Sequence, residues 1–257
     1  MKDKLTIIKV GGGILNDQNI FEKFLFNFSK INGKKLLVHG GGIIASNLLI
    51  KLGISPKLVK GRRITDKKTL EVAIMTYAGL INKTIVSKLQ KHNCNSIGIS
   101  GVDCNLILSK KRKVKDIDYG LVGDIEEVNG GFIKTLLCSN ITPVVCSLSH
   151  DGNGQILNTN ADSIASHISI EMSNYYNVSL KYCLDKSGVL IDQNKTSSLL
   201  KNINLSYYKE LVEKEIIIDG MIPKLDNCFY ALKNEVNNVS VGGHDIIKNN
   251  FTNITLD

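Results

Sequence analysis

Among the residues suited to chemistry, Lys9 stands out because it lies near the end of an apolar run that leads straight into three glycines. The stretch is LTIIKVGGG, residues 5–13, and a parallel arrangement returns at residues 36–42 as LLVHGGG, with His39 at the junction. Each reads as a buried strand ending in a glycine turn and followed by a helix-compatible segment. In a parallel sheet the carboxyl ends of the strands share one edge, so both turns can face one crevice. Glycine lets the backbone approach a ligand closely, and free N–H groups at the following helix start attract phosphate oxygens. Two such turns at equivalent strand ends predict phosphate binding, and a lysine beside one of them is not ordinary solvent-facing decoration.

Rival chemistries need further residues that this chain lacks. HGGG can supply an oxyanion hole in an esterase, but that fold also needs a G-x-S-x-G elbow, and GISG at 98–101 has the wrong spacing. There is no G-x-x-x-x-G-K-[ST] loop, and GGGILN at 11–16 does not satisfy G-x-G-x-x-G. The six cysteines (Cys94, Cys104, Cys138, Cys146, Cys183, Cys228) form no CxxC pair and no Cys/His cluster at zinc spacing. Neither a structural metal nor a disulfide framework is expected, and no protein residue is predicted to be a metal ligand.

Positioning such turns requires alternating strands and helices, and the chain supplies them. LTIIKV (5–10), LLVH (36–39), SIGIS (96–100), PVVCSL (143–148) and LKYCL (180–184) read as buried strands, several followed by helical periodicity. The pattern predicts an α/β sandwich around a mainly parallel sheet. The longest helical candidate begins at Asp66, with Thr65 or Asp66 as its cap, and runs to residue 93. Between 105 and 128, NLILSKK and GDIEEV flank DIDYG as hairpins lying over the sheet. No repeat or long linker divides the 257 residues, so one domain with two lobes, parting near residue 175, is expected.

Composition narrows the setting. With 43% hydrophobic and 22% charged residues the chain reads as ordinary globular protein. Its first apolar run is broken by Lys9 and is too short for a secretory signal, and no stretch reaches membrane-spanning length. A cytoplasmic location without membrane association is therefore expected. The net charge of +8 comes from lysines spread along the whole chain rather than gathered in a stripe. Nucleic-acid binding is not expected on that pattern, whereas anionic small substrates suit it.

The motifs IIKVGGG, LVHGGG, GRRITD, GLINKTIV, GISGVD, DYGLVGDIEEVN, LNTNADSIA, DKSGVL and DGMIPK occur in an order and spacing that resemble the acetylglutamate kinases of the amino acid kinase family, over about residues 5–231. The resemblance implies a three-layer αβα sandwich, with acylglutamate binding and dimerisation in lobe 1–175 and ATP binding in lobe 176–257. It implies transfer of the ATP γ-phosphoryl group to the side-chain carboxylate of N-acetyl-L-glutamate, in arginine biosynthesis. A carboxylate with a pKa near ~4.3 is already ionised at neutral pH, so no general base is needed. Positioning and positive charge must do the catalysis.

Carried over residue by residue, the resemblance makes Lys9 and Lys224 the catalytic lysines and Asp162 the carboxylate that orients both. Backbone N–H groups of Gly12, Gly41 and Gly42 would hold phosphoryl or carboxylate oxygens, with His39 supporting its loop. Arg63 would bind the α-carboxylate through a two-bond fork, with Arg62 in the variable position beside it. Asn158 would meet the acylated amino group, although Asn160 is close enough in sequence to compete. ATP would contact Asp185, Lys186, Ser187, Gly188, Val189 and Leu190, and Ile216, Ile217 and Ile218 would lie near the adenine or form a buried apolar strand. Magnesium is expected to arrive with ATP, bridging its phosphates.

Two segments depart from the family pattern: FTNI at 251–254 lacks the usual glycine, and VGGHDII at 241–247 is atypical. The same chemistry on N-succinyl-L-glutamate is the nearest alternative, and it would need an additional cation in the acyl pocket. A noncatalytic acylamino-acid or nucleotide sensor is the alternative of another class. Arginine-inhibited relatives carry a helix before the first strand, and here four residues precede Leu5. A homodimer insensitive to arginine is the corresponding expectation.

Overall fold

The computed structural model describes residues 2–59, 61–192, 195–245 and 251–257. From the amino end, β1 (Lys4–Val10) leads into α1 (Gly12–Asn16) and α2 (Gln18–Ser29), and β2 (Lys34–His39) leads into α3 (Gly42–Lys51). A short hairpin, β3 (Leu58–Val59) and β4 (Arg62–Arg63), precedes α4 (Lys67–Ile74), a π-helical stretch at Met75–Ile81, α5 (Asn82–Lys91) and β5 (Ser96–Ile99). Next come β6 (Ile107–Lys111), β7 (Gly123–Val128), α6 (Gly130–Cys138), β8 (Thr142–Cys146), β9 (Leu148–His150) and β10 (Ile156–Asn158). The remainder is α7 (Ala161–Ser173), β11 (Asn177–Cys183), β12 (Asn202–Ile203), α8 (Leu205–Glu213), α9 (Ile222–Lys233), β13 (Asn238–Gly242) and β14 (Phe251–Ile254).

Side-chain alternation along the strands decides the layering. Leu5 and Ile7 of β1 join one hydrophobic cluster, while Ile8 and Val10 join another on the opposite face. β2 divides in the same way, Leu36 and Val38 against Leu37. Helices α6 to α9 cover the first face, and α1 to α5 with the π-helical stretch cover the second. Among the described residues the central sheet has eight strands in the order β12-β14-β13-β11-β1-β2-β8-β5. From β13 to β5 every neighbouring pair is parallel, and β14 runs antiparallel to β13. This is the expected αβα sandwich. The strands buried on both faces explain the near-continuous apolar runs in the sequence.

The carboxyl ends of β1, β2, β8 and β11 therefore lie along one edge, and the chain enters β1 with β2 on one side and β11 on the other. Over part of that edge sits a second sheet, β10-β9-β6-β7, which contains the expected hairpin. Its loop reaches back to the segment just after the β3–β4 hairpin through a bridge between Gly120 and Thr65. Gly120 has a φ of +73°, and a Cβ there would collide with the Thr65 carbonyl, so this junction requires glycine.

Two expected elements differ in form. The helix beginning at residue 66 is capped as expected by Asp66, whose carboxylate accepts from the Thr69 N–H at 2.8 Å. It is not a single α-helix, because the π-helical stretch Met75–Ile81 separates α4 from α5. The wider turn brings Tyr77 and Ile81 so close to Gly41 that a Cβ on that glycine would overlap both. The strand expected over 143–148 is two strands. Ser147 leaves the central sheet, its carbonyl accepting from Thr159 N–H at 3.2 Å, and Leu148 starts β9. Of the two atypical segments, FTNI forms β14, and VGGH lies in and just after β13. Residues 246 and 247 are outside the described residues.

Candidate active site

A cavity of 620 Å³ opens at the shared strand edge and is lined by Lys9, Gly12, Gly41, Gly42, Arg63, Asn158, Asp162, Asp185, Lys186 and Lys224. Those ten were singled out from the sequence. Each arrives there for a local reason. Lys9 is on the α6–α9 face of β1 because it follows Ile7 by two residues, and it is 7% exposed. Asp162 sits in the first turn of α7, whose N-cap Asn160 accepts from the N–H groups of Asp162 and Ser163 at 2.8 and 3.1 Å. Lys224 lies in the first turn of α9, just after Pro223, a residue suited to a helix start because it needs no N–H partner there.

Those three side chains meet. Lys9 Nζ is 2.8 Å from Asp162 Oδ1, and Lys224 Nζ is 3.1 Å from Asp162 Oδ2. Burial by itself would raise the Asp162 carboxyl, but the charges and hydrogen bonds of Lys9 and Lys224 overcome it and hold the pKa at about 2. The carboxylate is thus ionised at neutral pH, and each ammonium keeps further N–H donors for a ligand.

Arg63 is 9% exposed and is fixed by two hydrogen bonds from Nη2, to the Gly42 carbonyl at 2.8 Å and to Ser46 Oγ at 2.6 Å. Its Nη1 is buried without a hydrogen-bond partner among the described residues. A buried cationic donor without an acceptor is costly, and an anionic ligand would supply one. Asn158 donates from Nδ2 to Thr65 Oγ1 at 3.0 Å, while the Asn160 amide oxygen is engaged in capping α7.

The glycine turns have different geometric reasons. Gly13 lies against the Asp185 carboxylate, which fills the space a Cβ would take. Gly41 is packed under Tyr77 and Ile81. Beneath the second turn, His39 is fully buried. Its Nδ1 lies 2.8 Å from the Gly40 carbonyl and its Nε2 lies 3.1 Å from Asn82 Nδ2. Desolvation lowers its pKa to about 4. The neutral ring therefore donates from Nδ1 and accepts at Nε2, which makes it a strut for the loop.

Seven of the expected nucleotide residues do not line this cavity: Ser187, Gly188, Val189, Leu190, Ile216, Ile217 and Ile218. Val189 and Ile217 are buried in the core, and Ile218 is 45% exposed. The Val189 N–H donates to Thr252 Oγ1 at 3.0 Å, which ties the DKSGVL turn to FTNI in β14. Lining residues that the sequence did not single out include Tyr77, Arg112, Tyr119 and Met221. Arg112 follows β6, far from the glycine loops in sequence, and pairs with Asp124 across the hairpin.

The model of the amino acid kinase family matches residues 4–243. The chain belongs to the amino acid kinase family. It is 50% identical over 241 residues to the acetylglutamate kinase of Phocaeicola vulgatus, covering 94% of each chain. It is 45% identical to the acetylglutamate kinase of Bacteroides fragilis, covering 94% of this chain and 92% of that one. Among solved structures, smu.665 from Streptococcus mutans superposes with a TM-score of 0.82 at 23% identity, covering 98% of this chain and 99% of that one, a likeness of fold.

The His39 strut has a measurable pH signature. Its folded pKa is below the 6.5 of the free side chain, so the unfolded state takes up the proton first and stability falls as pH drops below that value. Asp162 adds little above pH 4.5, because its window lies between its ordinary 3.8 and about 2. Urea unfolding at pH 7.5 and 4.5 should show His39 contributing a loss of about 2.5 kcal/mol. His167 is shifted in the same direction, so comparison with His39→Asn isolates the strut: the variant should lose less stability over that interval by about that amount.

Proposed function

We propose that this cavity transfers the γ-phosphoryl group of ATP to the side-chain carboxylate of N-acetyl-L-glutamate, giving N-acetyl-L-glutamyl 5-phosphate for arginine biosynthesis. The observation that carries it is the buried Lys9–Asp162–Lys224 triad between two glycine turns in a chain 50% identical to an acetylglutamate kinase. The acceptor oxygen is already anionic. It forms the new bond to the γ-phosphorus while the bond from that phosphorus to the departing ADP oxygen breaks, and no proton has to be removed. Lys9 and Lys224 neutralise charge on the transferring group, Asp162 keeps them apart and aimed, and the N–H groups of Gly12, Gly41 and Gly42 act as fixed dipoles.

On the acceptor side, Arg63 Nη1 receives the α-carboxylate and the Asn158 amide oxygen receives the acylated N–H. On the donor side, Asp185 and Lys186 begin the nucleotide site, with Ser187, Gly188, Val189, Leu190, Ile216, Ile217 and Ile218 behind them. Acylglutamate binding is assigned to lobe 1–175 and ATP to lobe 176–257. Mg²⁺ arriving with ATP would supply further charge neutralisation on its phosphates. Asp162 is not its ligand, since both carboxylate oxygens face lysines. A cytoplasmic homodimer fits the exposed apolar residues Ile50, Leu52, Leu58 and Met75 on and around α3 and α4. No helix among the described residues is long and apolar enough to cross a membrane.

N-Succinyl-L-glutamate is favoured as a second acceptor by one observation. Arg62 and Arg112 both line the cavity in addition to Arg63, and these are the extra cations that a carboxylated acyl group needs.

Trapping the product with hydroxylamine in the presence of ATP tests the reaction. Hydroxamate should form with N-acetyl-L-glutamate, and no product with either acylglutamate would favour a noncatalytic sensor. Lys9→Met and Lys224→Met should each lower kcat by about 100-fold with little change in acylglutamate KM, since one such contact is worth ~3 kcal/mol in the transition state. Near-normal kcat in either variant would remove that lysine from the mechanism. Arg62→Leu should lower kcat/KM for N-succinyl-L-glutamate by about tenfold or more, the scale of a lost charged hydrogen bond, and spare the acetyl substrate. Equal losses on both substrates would place Arg62 outside the acyl pocket.

A further inference from the structure

Behind the triad lies a second set of polar groups that the reaction does not touch. Lys9 on β1 and Tyr182 on β11 are register partners, so their side chains point to the same face of the sheet. Tyr182 is fully buried, and its Oη donates to the Asp162 backbone carbonyl at 3.1 Å. Ser166, also fully buried, lies one helical turn after Asp162, and its Oγ donates to the same carbonyl at 2.8 Å. Ser166 Oγ is also 3.0 Å from Tyr182 Oη and 3.0 Å from Asn227 Oδ1, so its single proton is shared between the Asp162 carbonyl and Asn227 Oδ1 and serves one of them at a time. Asn227 Nδ2 in turn donates to the carbonyl of Pro223, the residue before Lys224, at 2.7 Å.

Asp162 is thus gripped at both ends, its carboxylate by two lysines and its carbonyl by Tyr182 and Ser166. Through Asn227 the same network reaches the first turn of α9, so the helices bearing Asp162 and Lys224 are pinned to each other and to the strand beside Lys9. An apolar side chain could occupy the Tyr182 site without a hydroxyl to satisfy. The hydroxyl instead favours the one arrangement of helix and strand in which it meets the Asp162 carbonyl, since a buried hydroxyl left without an acceptor is costly. We propose that Tyr182, Ser166 and Asn227 are positioning residues that set the height of Asp162 between the two lysines. This rests on the kinase reaction proposed above.

The test is a mutant cycle on the full chain, following hydroxamate formation from ATP and N-acetyl-L-glutamate. Tyr182→Phe should lower kcat by about tenfold, less than the roughly 100-fold that a 1 Å misplacement can cost. Both KM values should stay within about twofold. In an Asp162→Asn background, where there is no ionised carboxylate to position, the same change should alter kcat by less than about twofold. A merely structural contribution would reduce kcat by the same factor in both backgrounds, and that result, or an unchanged kcat in Tyr182→Phe alone, overturns the proposal. If Tyr182→Phe melts early, Ser166→Ala gives the same comparison. An active parent with no effect of these variants would sink the network alone, whereas an inactive parent would sink the kinase reaction and the network together.

Discussion

Two ammonium groups directed into one cavity repel each other, and Lys9, nearly fully buried, also loses hydration on the way in. Asp162 makes that arrangement tolerable. A buried carboxylate ordinarily takes up a proton, yet here the paired lysines hold its pKa at about 2, so attraction outweighs desolvation. The cost of breaking such a set is asymmetric, because removing the carboxylate leaves two cations facing each other. Lys224 depends on it in another way. It sits in the first turn of α9, where the helix dipole opposes a cation, and its contact with Asp162 offsets that effect.

Much of the architecture serves this contact. β1 must end where Lys9 faces the α7–α9 layer, and α7 and α9 must bring their first turns to the same edge. α7 packs against α9 along that layer. The strand ends that deliver these residues also deliver the glycine turns, so positive side chains and both turns line one cavity. A preorganised set of charges and dipoles needs no rearrangement as charge shifts during phosphoryl transfer. Because the acceptor carboxylate is already ionised, the reaction needs no general base, and His39 is free to be a neutral strut.

The strands and glycine loops were legible in the sequence because apolar runs and glycine clusters are local signals. The same holds for the placement of Lys9, since two-residue periodicity assigns it a face of the sheet. The π-helical stretch was not legible, because its apolar spacing within residues 66–93 also satisfies an α-helix. Nor was the break at Ser147, a single serine within an otherwise apolar run, since it is set by the Thr159 N–H on the Ser147 carbonyl and the Gly101 N–H on the Leu148 carbonyl, both distant in sequence. The capping role of Asn160 went unread, although an Asn followed two residues later by an acidic first turn is a capping signal that could have been weighed. Tyr182 read as strand filling, and Arg112 joins the cavity only through the hairpin fold. Both are long-range facts that no local pattern encodes.

The direct measurement is a single-turnover rapid-quench experiment comparing the parent chain with Asp162→Asn, both preloaded with ATP and Mg²⁺ and mixed with saturating N-acetyl-L-glutamate. If Asp162 holds the two lysines in their working positions, the variant should bind both substrates while acyl phosphate appears at least about 100-fold more slowly. Phosphoryl transfer at the parent rate in the variant would contradict the account, because the lysines would then find their positions without the carboxylate.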